Sequence, residues 1–137
     1  MGSGRLVKVS QFCANKILIA DDEPSVRLLV KRFLSENYTV LEASNGEEAV
    51  SIARTEKPNL ILMDILMPKM DGYTACYIIK TDEVTKDIPV IILTAVAHIL
   101  NKQLGETLDA DGYITKPFTF QDLMDTISQF LPASRKA

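Results

Sequence analysis

The chain has 137 residues, the length of one domain with a hydrophobic core of its own. Its 47% hydrophobic and 24% charged residues are ordinary for a soluble globular protein, and the net charge of -3 argues against a basic nucleic-acid surface. No apolar run approaches the length of a membrane span, and Cys13 and Cys76 show neither metal-binding spacing nor a disulfide framework. We therefore expect a cytoplasmic protein with no membrane partner and no direct contact with nucleic acid.

From residue 16 onward, apolar runs of strand length alternate with segments of helical periodicity, which is typical of βα units around a parallel sheet. The predicted strands are residues 16–20, 39–43, 59–64, 89–94 and 112–115. The predicted helices begin near Pro24 and at Asn45-Gly46, and continue with residues 72–81, 98–108 and 119–131. We expect residues 1–15 to be a flexible tail, residues 16–132 to be one folded domain and residues 133–137 to be a second tail.

Helical spacing predicts which side chains face the core. The expected apolar positions are Val26, Leu29, Val30, Phe33 and Leu34 in the first helix, Ala49, Val50 and Ala53 in the second, and Leu123, Met124, Ile127, Phe130 and Leu131 in the last. The fourth predicted helix is the weakest, because Gly105 inside it costs about 1 kcal/mol relative to alanine.

Three strands are followed at once by charged side chains. The cluster Asp21-Asp22-Glu23 follows the first strand, Asp64 ends the third, and Lys116-Pro117 follows the fifth. In an open parallel sheet these strand ends lie side by side and form the ligand crevice. Two carboxylates about 4 Å apart repel by roughly 4 kcal/mol at an effective dielectric near 20. The cluster therefore predicts a divalent cation and a nearby lysine.

Each of these signals also has a structural explanation. Asp21 and Asp22 can simply favour the start of the helix that Pro24 opens. Asp64 is harder to explain in this way, because an acid that ends an apolar strand is partly desolvated and unpaired buried acids are rare. The residue pair Thr94-Ala95 can be a plain strand end, or a hydroxyl that donates to an oxyanion beside a small neighbour.

Taken together, these segments closely resemble the receiver domain of two-component response regulators. The matching motifs are Asp21-Asp22, Asp64, the stretch 67–72 (MPKMDG), Thr94-Ala95 and the stretch 113–118 (YITKPF). They occur in the family's order and spacing, and the resemblance runs over residues 16–131. It implies a doubly wound α/β fold of the flavodoxin-like (βα)5 type, with a five-stranded parallel sheet in the order 2-1-3-4-5.

The resemblance also implies the metal and the acceptor. In this family the aspartate that corresponds to Asp64 is phosphorylated. Mg²⁺ (or Mn²⁺) would be held by Asp22, Asp64 and the backbone carbonyl of Leu66, with Asp21 acting through water.

Four further residues match positions that contact or sense the phosphoryl group. The resemblance implies that Thr94 bonds the phosphoryl group beside the small Ala95, and that Lys116 pairs with it. Tyr113 matches the aromatic switch position that turns inward when Thr94 moves. The bond between Lys116 and Pro117 is expected to be cis, as in the family and as suits a tight turn at a strand end.

The implied function is that of a phosphoacceptor in signal transduction, with only self-phosphorylation and self-dephosphorylation as catalytic activity. The donor would be a sensor histidine kinase or a phosphotransfer protein. The output would pass through the face of the fourth helix, the fifth strand and the fifth helix to a downstream protein or an output domain. The resemblance also allows a homodimer that forms on phosphorylation.

Two alternatives stay open. The chain can be the receiver part of a larger regulator or hybrid kinase, for which residues 134–137 would begin a linker. A small phosphatase with an aspartyl-phosphate nucleophile is disfavoured, because the stretch Asp64-Ile65-Leu66 lacks the second acid expected two residues after the first. Leu66 and Val96 are apolar where polar side chains are frequent in relatives, which predicts a long-lived phosphorylated state.

Overall fold

Five parallel strands form one sheet in the order β2-β1-β3-β4-β5, as predicted. The structure, a computed structural model, describes residues 15–95 and 110–131. The strands are β1 (Lys16–Ala20), β2 (Thr39–Ala43), β3 (Leu60–Asp64), β4 (Val90–Ala95) and β5 (Gly112–Lys116). The helices are α1 (Pro24–Leu34), α2 (Gly46–Glu56), α3 (Gly72–Thr81) and α4 (Phe120–Phe130), of which α4 corresponds to the fifth predicted helix.

The predicted elements agree with the described ones to within one residue at each end. The fourth predicted helix at 98–108 lies outside the described residues, as do Gly105, Val96, Cys13, residues 1–14 of the first predicted tail and the whole of the second. Asn15, the last residue of the first predicted tail, is described, and its carbonyl accepts a hydrogen bond from the backbone N–H of Thr39 at 2.9 Å. No helix in residues 15–95 or 110–131 combines the length and the apolar character needed to cross a membrane.

The sheet is covered on both faces, which explains why its central strand is apolar without alternation. All five residues of β3 are buried. One core lies between the sheet and helices α1 and α4, and the other lies between the sheet and helices α2 and α3. Alternate residues of β1 enter opposite cores, with Ile17 and Ile19 in the first and Leu18 and Ala20 in the second.

The predicted core faces are largely confirmed, with one correction in α1. Val30 and Leu34 are buried, whereas Leu29 is 39% exposed. The buried stripe of this helix is therefore narrower than the apolar pattern suggests, because Leu29 lies at the edge of the contact with the sheet. An apolar residue at such an edge is common on protein surfaces.

Side-chain caps lie at the starts of α2, α3 and α4, whereas α1 begins without one. Asp71 accepts a hydrogen bond from the backbone N–H of Thr74 at 2.8 Å and so caps the start of α3. Asn45 accepts one from Glu48 at 2.8 Å at the start of α2. Both caps lie at the ends of the connections that follow β2 and β3 at the carboxyl edge of the sheet.

Candidate functional site

The charged side chains predicted to meet do so at the carboxyl edge of the sheet. An open cavity of about 310 Å³ lies there. Its lining residues are Asp22, Glu23, Asp64, Ile65, Leu66, Thr94, Ala95 and Lys116. The cavity therefore draws its residues from the ends of β3, β4 and β5 and from the turn that follows β1.

Asp21 lies behind the cavity wall and is completely buried. Its Oδ1 accepts a hydrogen bond from the backbone N–H of Glu23 at 2.9 Å, and its Oδ2 accepts one from Lys116 Nζ at 2.9 Å. Its own backbone N–H donates to the carbonyl of Ala43 at 3.0 Å. Both carboxylate oxygens and the main chain are thus held in place, as a buried charge requires.

Lys116 bridges the two buried acids. Its Nζ donates to Asp21 at 2.9 Å and to Asp64 Oδ1 at 3.1 Å. The peptide bond from Lys116 to Pro117 is cis, as predicted. Asp64 lies opposite Leu93, which lies opposite Ile114, whereas Lys116 lies opposite Ala95. The backbone of Lys116 is therefore two residues beyond the level of Asp64, and its long side chain spans the difference to reach both acids.

The pKa shifts of Asp64 and Lys116 show how burial and charge oppose each other at this edge of the sheet. Burial raises the pKa of the Asp64 carboxyl and the charge of Asp21 raises it further, while Lys116 opposes both effects. Burial alone would lower the pKa of Lys116, but its hydrogen bonds and charge interactions with Asp21 and Asp64 outweigh burial and raise it. The site therefore disfavours the ionised form of the Asp64 carboxyl, whereas it favours the charged form of Lys116.

The acids also have the arrangement of a metal site. Asp21, Asp22 and Asp64 each offer a carboxylate oxygen, and these oxygens all lie within 4.8 Å of one another. Hard oxygen donors are the ligands that Mg²⁺ takes in proteins, usually one or two carboxylates together with water. Asp22 is exposed, so its carboxylate is open to solvent on the cavity side. The donor set fits a hard divalent cation.

The first residue of α3, Gly72, lies so close to the backbone of Asp64 that a side chain would not fit there. The backbone N–H of Gly72 donates to the carbonyl of Ile65 at 2.7 Å. A Cβ on Gly72 would overlap the backbone carbonyl of Asp64. The start of α3 is thus in close contact with the main chain of Asp64.

The remaining predicted site residues have different surroundings. Thr94 is buried, and its hydroxyl donates to the carbonyl of Ala95 at 3.1 Å, while both residues line the acidic cavity. Leu66 lines it too, with 65% of its side chain exposed. Tyr113 is 38% exposed and lines a second cavity, between β5 and α4. The structure therefore brings all the predicted residues except Tyr113 to one site.

Two contributions were missed by the sequence analysis. Glu23 was recognised only as part of the acidic cluster, yet it lines the cavity. Arg27 was not singled out at all, yet its guanidinium donates from Nη1 to the backbone carbonyl of Asp21 at 2.7 Å. No local pattern signals this contact, because it depends on how the first turns of α1 fold back over β1.

Comparison with known proteins agrees with this site. The family model of the response regulator receiver domain matches residues 17–128. A curated relative, the probable transcriptional regulator ycf27 of Guillardia theta, is 38% identical over 138 residues, which cover 100% of this chain and 53% of the relative. The chain spans about half the length of the curated relatives that it matches.

Solved structures agree as well. The chemotaxis protein CheY4 of Vibrio cholerae is 30% identical with a TM-score of 0.81, and the match covers 86% of this chain and 99% of that chain. The receiver domain of a sensor histidine kinase from Pseudomonas aeruginosa, solved with a magnesium ion coordinated in its active site cleft, is 27% identical with a TM-score of 0.80 over 88% of this chain and 99% of its own. This chain belongs to the response regulator receiver domain family of two-component signalling.

Proposed function

We propose that this domain takes a phosphoryl group from a histidine kinase or a phosphotransfer protein onto Asp64. The observation that carries the proposal is the bridge made by Lys116, which bonds both Asp21 and Asp64 at the edge of an open cavity. A carboxylate that is 9% exposed, raised in pKa and adjacent to a fixed ammonium group is suited to receive a phosphoryl group.

The transfer would proceed by direct displacement at phosphorus. A carboxylate oxygen of Asp64 forms the new O–P bond as the P–N bond of the phosphohistidine breaks, and the electron pair of that bond returns to the imidazole nitrogen. Little further covalent chemistry is needed, so the protein acts by positioning and electrostatics.

Lys116 and Thr94 supply the contacts to the transferred group. The Nζ of Lys116 already lies 3.1 Å from Asp64 and can follow the charge as it moves onto the phosphoryl oxygens. The hydroxyl of Thr94 donates to the carbonyl of Ala95 at the end of β4, a contact that it can exchange for a phosphoryl oxygen. The exposed Ala95 leaves room at the same edge.

The acids would hold Mg²⁺ (or Mn²⁺), with Asp22, Asp64 and the carbonyl of Leu66 as direct ligands and Asp21 acting through water. The chemistry that this ion supplies when bound is neutralisation of charge on the transferring group. Support comes from the three carboxylate oxygens within 4.8 Å of one another and from the Pseudomonas aeruginosa receiver domain, which has magnesium in its cleft.

The signal would pass to the partner through the face that includes β5, α4 and the fourth predicted helix. Of these elements, only the fourth predicted helix lies outside the described residues. Tyr113 lines the cavity on this face and would report the movement of Thr94. In one arrangement the domain would signal alone, by protein contacts in the cytoplasm. The twofold greater length of the ycf27 relatives favours a receiver joined to a transcriptional output domain, and the length of the parent reading frame decides between these two arrangements.

We further propose that the domain is not a turnover enzyme. A phosphatase of the aspartyl-phosphate type would need a second acid two residues after the nucleophile, where this chain has Leu66. Sustained turnover of a phosphomonoester would contradict this part of the proposal.

The deciding experiment is incubation with acetyl phosphate and Mg²⁺, followed by intact mass and peptide mapping. We expect one phosphoryl increment, located on the peptide that contains Asp64, and none in EDTA. Asp64→Asn should not be labelled, whereas Asp87→Asn, an exposed position with the same loss of charge, should be labelled like the wild type. Unchanged labelling of Asp64→Asn, or normal labelling in EDTA, would overturn the proposed function.

A further inference from the structure

Arg27 makes a contact that the proposed chemistry does not use. Its side chain is 18% exposed, and its Nη1 donates to the backbone carbonyl of Asp21 at 2.7 Å. That carbonyl belongs to the peptide unit that joins Asp21 to Asp22. A guanidinium group at this distance therefore holds the one main-chain link between the buried acid and the exposed acid.

The guanidinium is itself braced from a neighbouring strand. Its Nε bonds Glu42 Oε1 at 3.0 Å, and Lys31 bonds the other oxygen of Glu42 at 3.0 Å. Glu42 lies on β2 directly opposite Ile19 of β1, so the brace is attached to the sheet. The hydrogen bonds from Lys31 and Arg27, opposed in part by burial, lower the pKa of the Glu42 carboxyl, so both cations favour its ionised form.

We propose that Arg27 is a positioning residue of the metal site, which fixes the peptide between Asp21 and Asp22 and thereby aims the Asp22 carboxylate into the cavity. This inference rests on the proposed function, because it concerns the ligand that Asp22 would offer to a divalent cation. Asp21 needs no such help, since its carboxylate is fixed by Lys116 and by the Glu23 amide. The exposed Asp22 depends on its main chain for direction.

The sign of the effect separates positioning from simple charge. Arg27 is a cation near the site, so its removal would strengthen the binding of another cation if charge alone mattered. Loss of a residue that orients a metal ligand instead weakens binding, typically by roughly 10-fold to 100-fold. The two explanations therefore predict opposite changes in Mg²⁺ affinity.

The test titrates the full chain with Mg²⁺ and follows the backbone amides around Asp22 and Asp64 by ¹⁵N NMR. We expect Arg27→Ala to weaken Mg²⁺ binding by roughly 10-fold or more. The matched control is Arg32→Ala, which removes the same charge from an exposed position of the same helix and should change the affinity less than about twofold. At saturating Mg²⁺ the rate of labelling by acetyl phosphate should recover in Arg27→Ala, because the defect lies in binding the ion.

The outcomes are distinct. If the wild type binds Mg²⁺ in a manner that Asp22→Asn abolishes, but Arg27→Ala binds equally well or more tightly, this inference is wrong and the proposed function stands. If the wild type shows no saturable binding, the proposed metal site and this inference are both wrong. If Arg27→Ala does not fold, Arg27→Lys decides: it keeps the charge but replaces the planar guanidinium that bonds both the Asp21 carbonyl and Glu42, so it should weaken binding by more than twofold, and an unchanged affinity overturns the inference.

Discussion

Replacing Asp64 with asparagine should make the metal-free protein more stable. Asp64 is 9% exposed, and its carboxylate lies within 4.8 Å of the buried Asp21 carboxylate. Asparagine has nearly the same shape and keeps an oxygen that can accept the hydrogen bond from Lys116. The substitution therefore removes one charge from a crowded site while it preserves the packing.

The magnitude follows from three opposing contributions. At an effective dielectric near 20, the repulsion from Asp21, whose carboxylate oxygen lies no more than 4.8 Å away, is at least about 3 kcal/mol, and the attraction of Lys116 at 3.1 Å is about 5 kcal/mol. Burial of an ionised carboxylate adds a penalty on the order of several kcal/mol. The two unfavourable contributions exceed the attraction, as the raised pKa of Asp64 also indicates. We expect Asp64→Asn to raise the free energy of unfolding by about 1 to 3 kcal/mol at neutral pH.

The same reasoning predicts how the added stability of the Asp64→Asn protein depends on pH. The folded-state pKa of Asp64 is raised above its ordinary value of 3.8, first by burial and then by Asp21. The folded protein thus holds this proton more strongly than the unfolded chain, and the ionised carboxylate destabilises the fold at pH values above the raised pKa. The advantage of asparagine should be full at neutral pH and should shrink as the pH falls through the raised pKa toward 3.8.

The assay is urea denaturation in EDTA across this pH range, with a second series in Mg²⁺. Asp87→Asn serves as the control, because it makes the same chemical change at an exposed site and should leave the stability within about 0.5 kcal/mol of the wild type. Added Mg²⁺ should narrow the gap, since an ion that binds the folded wild type more tightly stabilises it more. An Asp64→Asn protein that is no more stable than the wild type in EDTA at neutral pH would refute the electrostatic reasoning.

Three further substitutions test other contacts of the site. Gly72→Ala should lower the free energy of unfolding by about 1 to 3 kcal/mol in urea denaturation, because its Cβ would overlap the carbonyl of Asp64, and a neutral effect would show that the loop can move aside. Lys116→Met should cost about 3 kcal/mol in the same assay by leaving the buried Asp21 without its cation, and an equal or higher stability would contradict the bridge. Leu66→Asn should speed the loss of phosphate from labelled protein after acetyl phosphate is removed, because a polar side chain beside the cavity can hold the attacking water, and slower or unchanged decay would reject this role.

Much of the fold is predictable from the sequence because the sheet is buried on both faces. Continuous apolar runs such as that of β3 have few other structural explanations, and proline, asparagine and aspartate mark the helix starts. Burial at the edge of a helix is less predictable, as Leu29 shows. The hydrophobic period gives the direction of a helical face, but the width of the face depends on how far the neighbouring helix and sheet extend over it.

The meeting of the charged side chains at one site is also predictable, because parallel strands have their carboxyl ends at the same edge of the sheet. That rule brings Asp64 and Lys116 together from positions 52 residues apart. It does not predict the contact from Arg27 to the Asp21 carbonyl, which depends on a side-chain conformation and on the pairing of β1 with β2. It also does not predict the overlap that excludes a side chain at Gly72, which depends on the path of a loop.

The distribution of charge explains why stability and function oppose each other at this edge of the sheet. Three carboxylates and one ammonium group leave two negative charges in excess when all are ionised. The fully buried Asp21 is compensated by Lys116 and a backbone amide, whereas Asp22 is exposed at the cavity. The uncompensated charge therefore lies where a cation or a phosphoryl donor can reach it. A neutral set of side chains would give a more stable domain, but it would remove the field that attracts the cation and the carboxylate that accepts the phosphoryl group.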